Sequence, residues 1–216
     1  MRTSWSPRRR ALAATILALG MVTGASAAPA MAARSDVDPS TLTPAPPDFF
    51  NAECREAGRQ ILCDLAFTDP VMPVDEPTGI LCESPAGPFE VLDTSIRTVR
   101  GIRYYSADGL LERRHFSDRI EGTLTNSLTG STVPYVQHTT YLHDLAVPGD
   151  ATTGSEEQTT HMRLQTRTGA VFITAGRAIV SLEEEATTFR AGQHPLDEYF
   201  EDGDVHALDP LCEALS

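Results

Sequence analysis

The densest set of side chains able to do chemistry is His138, His143 and Asp144, with His161 on the segment that follows. An imidazole oriented by a carboxylate can serve as a general base or as a metal ligand. The spacing works against one shared site. His138 and His143 are five residues apart, so on a regular strand they point to opposite faces, and His161 shares its face with Arg163. Histidines in solvent or at the rim of a core are the plainer expectation. A second set is acidic: from Glu183 to Glu213 ten carboxylates stand against Arg190 alone, and Glu201, Asp202 and Asp204 surround Gly203. Ca²⁺ takes such oxygens, but Phe200 stands where an EF-hand loop needs one. A solvated acidic face is therefore expected, with no metal and no other cofactor. A third set, Tyr104, Tyr135, Tyr141 and Phe172, would line the mouth of a small barrel holding one apolar ligand, against the commoner role of strand aromatics as core filling.

No Gly-x-Ser-x-Gly elbow, His-Glu-x-x-His pair, phosphate-cradling glycine loop or dinucleotide fingerprint occurs in the chain. The commonest sequence-readable hydrolase, zinc-protease and nucleotide sites are thereby removed. Charge removes further classes. The chain has 30 acidic residues against 17 basic ones, all arginine, for a net charge of −13. Nucleic acid needs a basic face to neutralise phosphates, and an anionic membrane surface would repel this chain for the same reason.

Arg2, Arg8, Arg9 and Arg10 precede a short apolar run from Ala11 to Gly24, and small residues follow from Ala25 to Ala33. That is the layout of a cleavable signal peptide over residues 1–33, too short for a membrane span of about 20 apolar residues. The expected address is secreted and extracellular. Without those residues the balance is 13 basic against 30 acidic, a net of −17. Residues 34–50 contain a run of prolines, which lack backbone donors, and are expected to form an extended, disordered linker. Residues 51–216 remain for one domain.

Cys54, Cys63, Cys82 and Cys212 are an even set in an exported chain, which predicts two disulfides with three possible pairings. Their spacing lacks the close pairs of a cysteine-built zinc site.

The elements that must carry these side chains are strands. From Phe89 onward apolar residues recur at period two, and turn residues interrupt them about every ten positions. Arg119 to Thr125 places Ile120, Gly122 and Leu124 on one side. Thr132 to Leu142 places Val133, Tyr135, Thr139 and Tyr141 on one side and His138 on the other. Asp108-Gly109, Thr129-Gly130 and Thr168-Gly169 supply the tight connections. The expected fold is all-β, a single antiparallel meander of about 6–8 strands closed into a barrel, which removes exposed edges; a β-sandwich is the alternative.

The quoted residues also resemble a family of small secreted β-barrel-like proteins of unknown function from high-GC Gram-positive bacteria. The likeness rests on Cys63-Asp64-Leu65-Ala66-Phe67, on Gly122 to Gly130 (Gly-Thr-Leu-Thr-Asn-Ser-Leu-Thr-Gly) with Val133 after it, on Ala175-Gly176-Arg177, and on Leu211-Cys212-Glu213-Ala214-Leu215. It implies a bridge between Cys63 and Cys212, leaving Cys54 for Cys82, and it brings no catalytic residue. The additional Cys54 and Cys82 and the acidic stretch after Leu182 depart from the pattern. Together these readings favour a non-enzymatic barrel that binds a small hydrophobic ligand or an extracellular partner. The alternatives are a barrel isomerase or cyclase using a histidine and a carboxylate, and a structural cell-envelope protein.

Overall fold

The period-two alternation becomes a sheet of nine strands in the computed structural model, which describes residues 36–69, 74–166 and 169–216. The strands are β1 (Asn51–Ala57), β2 (Gln60–Asp69), β3 (Glu76–Cys82), β4 (Phe89–Ser106), β5 (Leu111–Asn126), β6 (Thr132–Asp144), β7 (Ser155–Thr166), β8 (Gly169–Ser181) and β9 (Ala186–Gln193). Two short helices follow, α1 (Pro195–Phe200) and α2 (Asp209–Leu215). The expected signal peptide lies outside the described residues, as do Arg167, Thr168 and the side chain of Phe172.

Every strand pair is antiparallel, and from β4 to β9 each strand lies beside the next in sequence. The meander is therefore as expected, but the barrel is not. The spatial order is β1-β2-β4-β5-β6-β7-β8-β9, with β1 and β9 as the ends of the path, so the sheet is open. There are nine strands because β4 is 18 residues long and carries two neighbours along one edge: β2 runs against Arg97–Ser106, and β3 runs against Phe89–Asp93.

One face of the sheet is covered by other parts of the chain, which is the physical reason that closure is not needed to bury it. At one end α2 and its N-cap residue lay Leu208, Leu211 and Leu215, all fully buried, on Val91, Leu124, Val133, Leu164 and Ile173. Each such leucine contributes about 1.5–3 kcal/mol. The buried Asn126 donates its side-chain amide to the Leu215 carbonyl at 3.2 Å, which closes that end. At the other end Leu42 packs on Ile61, Cys63, Leu65, Tyr105 and Leu111.

Leu42 belongs to the segment expected to be an extended linker, and the structure corrects that expectation. Asp38 caps a 3₁₀ turn over Pro39–Thr41. Thr43 exchanges backbone hydrogen bonds with Gly109 and Leu111 at 2.8 Å each. Tyr105 donates its hydroxyl to the Pro44 carbonyl at 3.0 Å, and Arg103 Nη1 donates to the Pro44 and Ala45 carbonyls at 3.3 and 3.1 Å. Prolines lack donors, but their carbonyls accept, and two buried side chains use them.

The disulfides are Cys54–Cys63 and Cys82–Cys212, not the Cys63–Cys212 pairing that the family resemblance implies. Cys54 and Cys63 sit opposite each other in the β1–β2 register, within reach of a direct bridge. Cys82 ends β3 and joins α2 to the sheet across a sequence separation of 130 residues. Two disulfides fit an oxidising environment. Among the described residues no helix is long and apolar enough to cross a membrane.

Side-chain parity is as the sequence predicts. In β6, Val133, Tyr135, Thr139 and His143 are buried while His138 and Leu142 are exposed. Two inner-face glycines let rings lie flat on the backbone. A Cβ at Gly101 would stand 2.2 Å from the Phe116 ring, and one at Gly122 would stand 2.7 Å from the Tyr135 ring.

Candidate functional site

The alternation that buries Val91 and Val99 on the inner face of β4 also carries Asp93, Ser95, Arg97 and Arg103 there, because all share the same parity. Between the two apolar ends the inner face is thus polar. Arg97 Nε donates to Asp118 Oδ2 at 2.8 Å, and Arg97 Nη2 lies 2.5 Å from the same oxygen. This carboxylate raises the Arg97 pKa. Arg114 Nε donates to His143 Nδ1 at 2.5 Å. Tyr135 donates to Asp93 Oδ2 at 3.0 Å, as does Ser95 Oγ at 2.9 Å; burial raises the Tyr135 pKa, so the phenol remains a donor.

Of these groups Arg97, Arg114 and Asp118 border a cleft of about 350 Å³. Its floor is Arg97, Arg103, Arg114 and Asp118, with Tyr141 and Glu156 beside them, and its wall is aromatic. Phe50 stacks on Phe116 with centroids 5.8 Å apart, and the Phe49 and Phe50 rings lie 5.4 and 6.0 Å from Phe67. Gly101 is needed here because it makes room for the Phe116 ring. Three guanidinium groups facing an aromatic wall can hold an anion that has an apolar body.

A second hollow, of about 230 Å³, shares Tyr141 with the first. It is lined by Gln137, Thr139, Gln158 and Thr174 from the sheet and by His194 and Asp197 at α1. His194 lies over Gly176, where a Cβ would meet its ring at 2.2 Å. Its Nδ1 is 3.4 Å from Asp197 Oδ2, and its Nε2 donates to the Ala191 carbonyl at 2.9 Å. Both ring nitrogens are thus engaged by neighbours.

The sequence-predicted residues separate between faces. His143 is fully buried: Nδ1 accepts from Arg114, so Nε2 carries the proton and donates to the Thr153 carbonyl at 3.2 Å. Burial lowers its pKa, partly opposed by the Thr153 carbonyl. It is a neutral support behind a cleft arginine. His138 and His161 lie directly opposite each other on β6 and β7, on the outer face, and His138 Nε2 meets Ser117 Oγ at 2.9 Å. Asp144, next to His143 in sequence, is exposed. The four do not converge.

Of the expected ligand-lining aromatics, Tyr141 borders both hollows and Tyr135 is in the core. Tyr104 is on the outer face, with the Arg113 guanidinium 4.3 Å from its ring centroid. Phe172 pairs with Arg163 in register. In the acidic stretch Glu201 pairs with Arg190 at 3.0 Å, and Asp204 accepts the His206 backbone N–H at 3.0 Å. Among the described residues no three His, Cys, Asp or Glu side chains converge as metal ligands would.

The sequence reading missed Arg97, Arg103, Arg114 and Asp118. A signal was present: Arg97 and Arg103 fall on the parity of Val91 and Val99, and a charge on the apolar side of a strand marks either a buried pair or a site. Comparison with protein-family models, with curated proteins and with solved structures finds no match to this chain.

Proposed function

We propose that this is an exported protein that binds a small organic molecule on the inner face of its open sheet, without chemical conversion. The observation that carries the reading is the pairing of a charged floor with an aromatic wall around one cleft between two packed apolar ends. Here Arg103 and Asp118 are buried residues that line accessible volume. Export fits the two disulfides and the four arginines among the first ten residues, followed by an apolar stretch.

Native mass spectrometry of protein purified from its own culture medium tests this. The expected spectrum contains a population heavier than the disulfide-bonded chain by one small organic mass, which is lost on denaturation. A spectrum of bare chain alone, together with an unchanged melting temperature across a panel of small acids, alcohols and amides, would remove the reading.

A further inference from the structure

Two buried polar atoms, on residues that line the cleft, have no hydrogen-bond partner among the described residues. Arg103 is 5 % exposed, and its Nη1 is engaged by Pro44, Ala45 and Tyr105, yet its Nε–H donates to nothing. Asp118 is 4 % exposed; both Arg97 contacts fall on Oδ2, and Oδ1 accepts nothing. Burying a polar atom in this state is unfavourable, and such atoms call for an explanation. Both residues line the same cleft. One atom is a donor and the other an acceptor, so an occupant that satisfies both must present an acceptor and a donor.

Charge narrows the choice. Arg97, Arg103 and Arg114 against Asp118 and Glu156 leave an excess of one positive charge in the cleft, although residues 34–216 carry a net of −17. Burial lowers the Arg114 pKa, Glu156 opposes the shift, and the Arg103 charge adds to it. A negative charge entering here would be stabilised by groups already fixed in place. Size narrows it further, because about 350 Å³ is near the lower end of small-ligand pockets, which span roughly 300–1,000 Å³. The aromatic wall suits one flat ring system.

Resting on the small-molecule reading above, we propose that the cleft binds an aromatic carboxylate that also carries a hydroxyl or N–H donor. The carboxylate accepts from Arg103 and Arg114, the ring lies against Phe50 and Phe116, and the donor reaches Asp118 Oδ1. No bond is made or broken.

Isothermal titration of the full secreted chain at pH 8 with 6-hydroxy-2-naphthoate, 2-naphthoate and 6-hydroxy-2-naphthamide tests this directly. The hydroxy acid is expected to bind at least about tenfold tighter than the amide, a difference equal to about 1.4 kcal/mol. It is also expected to bind more tightly than the acid without the hydroxyl. Asp118→Asn should narrow the second gap, and Arg103→Met, or Arg114→Gln should the first variant not fold, should narrow the first to below about threefold. Binding of all three compounds within threefold of each other by the wild-type chain would overturn the carboxylate assignment and leave the small-molecule reading standing. No binding by any of them would overturn the assignment too, and the ligand search by mass spectrometry then decides the broader reading separately.

Discussion

The two disulfides close loops of very different length, and their removal should cost very different amounts. Cys82–Cys212 spans 130 residues and Cys54–Cys63 spans nine. If a cross-link acts by restricting the unfolded chain, the loop-entropy relation gives about 5 kcal/mol for the long loop and about 2.5 kcal/mol for the short one. A single domain has only about 5–15 kcal/mol of net stability, so the first loss is a large fraction of the total. The structure adds a second reason for the same order. Cys54 and Cys63 face each other in a hairpin whose strands are already paired along its length, whereas Cys82–Cys212 holds a seven-residue helix that no long hairpin supports. The assay is urea unfolding of the Cys82→Ala/Cys212→Ala and Cys54→Ala/Cys63→Ala double variants. The long-loop variant should lose about 2 kcal/mol more than the other. Non-reducing digestion with trypsin and Asp-N, which between them cut between all four cysteines, should join Cys54 to Cys63 and Cys82 to Cys212. Equal or reversed stability losses would refute the entropic reasoning, and a peptide joining Cys63 to Cys212 would refute the pairing itself.

Three further outcomes follow from the inner face. His143 is neutral and buried with a lowered pKa, so its unfolded form binds the proton more readily. The stability it contributes is fully present above about pH 6.5 and is lost as pH falls from there through its lower native value. Unfolding free energies should fall over that window by at most about 1.4 kcal/mol per pH unit more in wild type than in His143→Gln, and equal slopes would show that His143 does not titrate across the transition. Tyr135→Phe removes a hydroxyl donor from Asp93, whose other oxygen has no partner among the described residues, and should cost about 1.5–3 kcal/mol in urea unfolding; a change under about 0.5 kcal/mol would mean water replaces it. Gly122→Ala forces a Cβ to within 2.7 Å of both Ser95 and Tyr135, with an expected loss of about 1–3 kcal/mol, while Gly130→Ala, where nothing lies within 4 Å but φ is +73°, tests backbone strain alone and should cost less, near 1 kcal/mol.

The features readable from residue order are local ones. Side-chain direction alternates along an extended chain whatever lies beyond it, so the inward residues Val133, Tyr135, Thr139 and Tyr141, the opposite faces of His138 and His143, and the turns at Asp108-Gly109 and Thr129-Gly130 were legible from spacing. An even count of cysteines was enough for two bridges.

The remainder depends on contacts between residues far apart in sequence. Cysteine partners follow from which strands and helices meet, and four cysteines permit three answers until they do. Whether the sheet closes depends on what else can cover its inner face. Here α2 and the segment around Leu42 do so, and neither periodicity nor proline content announces that docking. The cleft is legible only in three dimensions for the same reason: Arg97 and Arg103 come from β4, Arg114 and Asp118 from β5, and Phe50 from before β1. Parity places a charge on the inner side of one strand, but only the packing of distant segments leaves space beside it.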